Sequence, residues 1–148
     1  MIYMDHNAST PVRPEAVDAM RACLEDLHAN PSSMHREGQR VRAALERARA
    51  QVAALVAAEP SQLVFTSGGT EGDHDALIGA AWALESSGRR VAISAIEHHA
   101  VHGAGSVLTR CGFAVEHLPA TADGVVDLRA IDRLPADTTL LSVMLANN

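Results

Sequence analysis

Apolar residues recur at helical spacing through the first third of the chain, then give way to short apolar runs. From Glu15 to about His28 the positions Val17, Met20, Leu24 and Leu27 fall on one helical face, and Pro14 stands where a helix tolerates proline, at its start. The first dozen residues, bounded by Pro11 and Pro14, read as extended. Asn30-Pro31-Ser32-Ser33 reads as a loop by its turn chemistry. A longer helix is predicted from about Arg36 to Ala58, with Val41, Leu45, Ala48, Val52 and Leu55 on one face. Arg42, Glu46 and Arg49 fall on the opposite face as a solvated stripe.

After Pro60 the pattern changes. The apolar runs Leu63–Phe65, Val91–Ile93, Ala114–Val115 and Leu140–Met144 alternate with helical segments near 70–86, 97–111 and 127–134, punctuated by glycines such as Gly88 and Gly112. Strands alternating with helices predict βαβ units and a parallel sheet of four strands covered on both faces.

Composition narrows the function. The chain has 148 residues, 47% of them apolar, and a formal net charge of −6. That balance fits one globular unit and argues against a nucleic-acid module, which would carry a basic patch. No apolar run reaches the roughly 18 residues of a membrane span, and MIYMDHNAST lacks the features of a secretion signal. Two cysteines, Cys23 and Cys111, are too few for a disulfide framework, which points to the cytoplasm. Cys23 on the apolar side of a helix and Cys111 at a helix end both read as buried thiols. All 12 basic residues are arginines. The absence of lysine excludes a Walker-type phosphate loop, and it excludes Schiff-base chemistry on the chain's own side chains.

In open α/β sheets, ligands bind at the carboxyl ends of the strands. After the first apolar run comes Thr66-Ser67-Gly68-Gly69-Thr70-Glu71, opening a helix. Its glycines and free N–H groups, with the hydroxyls of Ser67 and Thr70, suit an anion such as phosphate; a plain turn capped by Thr70 is the alternative. After the second comes Ser94-Ala95-Ile96-Glu97-His98-His99. A histidine there can stack on a ring or shuttle a proton, or it can simply cap the helix. The His pair is not read as a metal site, since adjacent helical residues diverge and no Cys or carboxylate partner stands at ligand spacing. After the fourth run stand Asn147 and Asn148, two amides able to hold a ligand's oxygens.

In this order the pieces resemble one family. Tyr3-Met4-Asp5-His6-Asn7-Ala8-Ser9-Thr10-Pro11 is similar to the opening of the cysteine desulfurases, members of the class V aminotransferase group. So are Asn30-Pro31-Ser32-Ser33 with His35 and Gly38, and the later runs VFTSGGTE, SAIEHHAV, GVVDL and LLSVMLANN. The ordered set is specific, whereas GGT alone is weak. The resemblance implies an α/β protein with the N-terminal half of an aspartate-aminotransferase-like (fold type I) large domain. Its divisions would be an extended segment 1–14, a helical layer 15–60 and the half-domain 61–148. It implies pyridoxal 5'-phosphate as cofactor, with Gly69 and Thr70 on the phosphate and His98 stacked on the ring as the catalytic proton carrier. Asn148 would bond the phenolic oxygen or the substrate, with Asn147 beside it, and Asn7 and Ala8 would lie near the substrate carboxylate.

The implied activity converts L-cysteine to L-alanine and passes persulfide sulfur to an acceptor protein, for iron–sulfur cluster assembly or other transfer. A cytoplasmic, dimer-type assembly is implied, with no nucleic-acid or membrane partner. The chain departs from the family at Gly72-Asp73-His74-Asp75, where an Asn-Leu type stretch is usual. It covers well under half of a family member, and lacks the Schiff-base lysine, the acid that pairs with the pyridinium nitrogen and the sulfur-accepting cysteine. Its expected partner is therefore a C-terminal half, without which Leu63–Phe65 would be an unpaired edge strand and the chain poorly stable. A natural split subunit, a truncated desulfurase and a non-catalytic interaction module all remain open, as does a related enzyme such as a selenocysteine lyase.

Overall fold

The computed structural model describes residues 2–6 and 8–147. The chain divides into two compact units, residues 1–65 and 66–148.

The first unit is helical. Its opening residues are not extended throughout: the N–H groups of Ala8 and Ser9 turn back to the Asp5 carbonyl, and the Tyr3 hydroxyl meets Ser9 Oγ at 2.8 Å. Helix α1 (Pro14–Asp26) begins on Pro14 and buries no residue. Cys23 is exposed, against the expectation of a buried thiol, on the same open face as Met20 and Leu24. The helical pattern does create an apolar face, but burial needs a second surface, which α1 does not find within the unit.

Helix α2 (Arg36–Leu55) starts on His35, whose Nδ1 accepts the Gly38 N–H at 3.3 Å. A methyl group at Gly38 would lie 2.5 Å from the Ser33 carbonyl and 2.7 Å from that of Asn30. Glycine is therefore what lets the Asn30–Ser33 loop lie on the first turn. The helix stops three residues earlier than its pattern predicts. Ala57 takes φ 51°, and the Ala58 N–H reaches back to the Ala53 carbonyl in a Schellman closure. This carries Leu55 into solvent and leaves Ala53 as the buried apolar residue of α2.

Nor are Arg42 and Arg49 merely solvated. Arg42 donates to the Pro31 carbonyl, while Arg49 donates to that of Leu63 and lies over the Phe65 ring. Residues 63–65 form no strand, although Leu63 is extended. A strand exists only as a ladder, and here the segment's bonding goes to an arginine instead.

The second unit is a three-layer α/β unit. Helix α3 (Gly69–Ala83) leads to β1 (Arg90–Ser94), α4 (His99–Arg110), β2 (Ala114–Leu118), the single turn α5 (Leu128–Ile131) and β3 (Thr138–Ser142). The described sheet has three parallel strands in the order β2-β1-β3, one fewer than the apolar runs suggest. Strand β1 lies in the middle, and its side chains alternate between two cores. Val91 and Ile93 pack with Leu77 and Ala81 of α3, Val101, Ala104 and Leu108 of α4, and Phe113. On the other face Ala92 packs with Leu118 and Val126, roofed by Ile131 and Leu134. Burial on both faces explains why β1 reads as a continuous apolar run. Cys111, the second cysteine expected to be buried, is exposed because it sits past the last turn of α4, where the helix leaves the core.

Candidate functional site

Helix α4 follows β1 directly, so its first turn stands at the carboxyl end of the sheet. Helix α3 precedes β1 and packs against α4, running antiparallel to the strand, so its first turn stands at the same end.

At the start of α3, Gly68 is the extended N-cap residue and no side chain caps the helix. Thr70 therefore does not play the capping role considered from sequence; it lies inside the first turn with its side chain exposed. The first N–H groups of α3 have no intrahelical acceptor. A methyl group at Gly68 or Gly69 would meet nothing within 4 Å. The turn is thus an open cradle of donors with room for an anion. One donor already has a partner, since the Ser67 N–H donates to the Glu71 carboxylate. The Ser67 hydroxyl and then this N–H hold the Glu71 carboxyl below its ordinary value. A hollow of about 200 Å³ opens nearby between α3 and β3, with Asp73, Leu77 and Ser142 on its walls.

His98 is the N-cap of α4 and half-buried; its Nδ1 accepts the Ala100 N–H at 3.2 Å. With Nδ1 so occupied, the neutral ring carries its proton on Nε2. The exposed ring of His99 lies 3.8 Å from that of His98, centroid to centroid.

Each residue of the turn before α4 is tied down. The Ala95 N–H donates to Leu118 O of β2 at 2.8 Å, and the Asn147 side-chain amide donates to Ile96 O at 2.9 Å. Glu97, only 7% exposed, accepts the hydroxyls of Ser94 and Ser142 on one oxygen, each at 3.2 Å.

Of the residues expected at a site, Gly69, Thr70, His98 and Asn147 belong to the second unit and lie on segments at this end of its sheet. Ala8 belongs to the first unit, in the Asp5–Ser9 turn. Asn7 and Asn148 lie outside the described residues. Glu97 and Ser142 were not foreseen. The available signal was an acid in the first loop after a buried strand, and a hydroxyl at the end of an otherwise apolar one.

The family described as aminotransferase class-V matches residues 2–148. The cysteine desulfurase IscS of Dictyoglomus turgidum is 40% identical over 148 residues, covering 99% of this chain and 38% of that protein. A cysteine desulfurase from a Frankia species is 41% identical over 157 residues, covering 100% and 38%. Among solved structures, a NifS-like protein matches with a TM-score of 0.90 at 33% identity, covering 99% of this chain and 40% of that one. SspA in complex with cysteine matches at 0.84 and 31% identity, covering 94% and 40%. The chain spans about two-fifths of the length of the curated relatives it matches.

Proposed function

This chain belongs to the class-V aminotransferases, a pyridoxal-phosphate-dependent family, and from that premise we propose that it is the N-terminal portion of a cysteine desulfurase. In this reading it acts only with a C-terminal portion that brings the Schiff-base lysine, because its own basic side chains are all arginines. When bound, the cofactor supplies the electron sink. The chain's own residues supply binding, orientation and proton traffic.

The observation that carries the reading is the open Gly68-Gly69-Thr70 turn at the same end of the sheet as His98. The free N–H groups of α3 and the Thr70 hydroxyl would hold the phosphate, favoured by the helix dipole. His98 would face the ring and hold a mobile proton at Nε2, the nitrogen its cap leaves free. Asn148 would bond the phenolic oxygen or the substrate, with Asn147 beside it. Asn147 donates one side-chain N–H to Ile96 O, which leaves its second N–H and its carbonyl oxygen for a ligand. Asn7 and Ala8 would serve the substrate carboxylate. The relative bound to cysteine supports L-cysteine as substrate, giving L-alanine and a sulfur for an acceptor protein. A cytoplasmic homodimer-type assembly completes the proposal.

The test is reconstitution. The chain is mixed with pyridoxal phosphate, with and without the C-terminal portion of a relative, reduced with borohydride and weighed by mass spectrometry. Alone it should acquire no side-chain adduct. With the C-terminal portion, a yellow cofactor band and alanine formation from cysteine are expected. In that assembly His98→Ala should lower turnover roughly ten- to ten-thousand-fold, and His99→Ala far less. An assembly that forms without binding cofactor would favour an interaction module, and equal effects at the two histidines would remove His98 from its role.

A further inference from the structure

We propose that Glu97 is the positioning residue of this site: its buried carboxylate clamps the 95–98 turn across the ends of β1 and β3, fixing His98 against the segment that carries Asn147. The inference rests on the function proposed above, since the placement of His98 matters to catalysis only where a ring is to be stacked.

The turn needs no buried acid merely to close. Its backbone already bonds, from the Glu97 N–H to the Ser94 carbonyl at 3.4 Å. A buried carboxylate costs free energy unless donors satisfy it, and here the donors come from two different strands. Ser94, fully buried, ends β1, and Ser142 ends β3, 45 residues beyond Glu97 along the chain. One oxygen thus joins two neighbouring strand ends immediately before the histidine. The bonds around it give each residue of the turn a separate anchor: Ala95 to β2, Ile96 to Asn147, Glu97 to β1 and β3, and His98 to α4. Two ligand-facing segments that are distant in sequence become one rigid body, as a preorganised site requires.

The role is one of geometry, so an uncharged oxygen should serve. Glu97→Gln keeps a carbonyl oxygen able to accept both hydroxyls, whereas Glu97→Ala removes it. The assembled protein, carrying ¹⁵N-labelled histidine, is examined in two ways: by the His98 ring tautomer in NMR spectra recorded without cofactor, and by the dissociation constant for pyridoxal phosphate. Wild type and Glu97→Gln should share the Nε2–H tautomer and agree in affinity within about threefold. Glu97→Ala should average the tautomers and weaken binding by roughly tenfold or more, the scale for buried donors left unpaired. Ser142→Ala, which removes one donor and keeps the acid, should shift both readouts the same way by a smaller factor, and it serves if Glu97→Ala fails to fold.

An unchanged tautomer and affinity in Glu97→Ala, or in Ser142→Ala if that variant has to stand in, would overturn the clamp. So would a Glu97→Gln as impaired as Glu97→Ala, which would make the charge the active feature. The tautomer needs no cofactor, so a wild-type assembly that binds no pyridoxal phosphate would defeat the proposed function while the clamp is still judged by NMR.

Discussion

The two units of this chain are written in the same amphipathic code, yet they spend it differently. Among described residues, the first unit buries only Gly38 and Ala53, while Met20, Leu24 and Leu55 stand in solvent. It is held by polar stitches: Arg42 on Pro31, Gln39 on Met34, Arg49 on Leu63. The second unit closes two apolar cores around one strand. The difference lies in what faces each helix. A sheet offers two flat surfaces on which helices can settle, whereas the described residues of the first unit form helices and loops without a sheet. Periodicity is a local property; burial is a property of the surface opposite.

The comparison is sharpest in the core. Ile93→Ala should cost the second unit about 2–5 kcal/mol, whereas Met20→Ala in α1 should cost under about 0.5 kcal/mol. Urea denaturation followed through Trp82, which packs edge-on to Phe113 at 5.2 Å, reads the first, and hydrogen exchange of the α1 amides reads the second. Comparable losses would mean that α1 is covered in solution. Next in size, Gly38→Ala should cost the first unit about 1–3 kcal/mol, since a methyl there meets the Ser33 and Asn30 carbonyls. The readout is faster amide exchange in α2 alone; a spread to β1 would show that the units unfold together.

A smaller change should run the other way. Ala57→Gly, at a left-handed φ of 51°, should gain up to about 1 kcal/mol and slow exchange at the end of α2. The smallest effect is acid sensitivity in the second unit. The Ser67 hydroxyl and N–H hold the exposed Glu71 carboxyl below its ordinary value, so the folded state favours the ionised form. That contribution is present above the ordinary carboxylate range and fades as pH falls through the lowered value. Thermal midpoints of wild type and Glu71→Gln should therefore converge on acidification. A gap that stays constant with pH would give Glu71 no titrating role.

What the sequence made legible follows the same division. The buried strand β1 was plain because both its faces are apolar, and α1 and α2 were plain because each keeps a helical period. The end of α2 was not, because a left-handed alanine gives no warning where a glycine would. Leu63–Phe65 has the composition of a strand without the ladder. The exposure of Cys23 and Cys111 was hidden because residue type reports a preference and not a neighbour. At the candidate site, the placement of the glycine turn and of His98 at the starts of α3 and α4 could be read from position alone. The Glu97–Ser142 contact joins residues 45 apart, and no local pattern encodes such a meeting.

The order of strands also sets a timetable for a chain leaving the ribosome. β1 can pair with β2 soon after both emerge, but its other edge waits for β3, about 25 residues later. At ordinary rates of synthesis that is a delay of roughly one to five seconds, during which the central strand has one side open. Through that interval Glu97 has Ser94 for company but not Ser142. A chaperone or a mispaired strand would find its opportunity at that bare edge of β1, and slowing translation between Leu118 and Thr138 should lengthen the exposure.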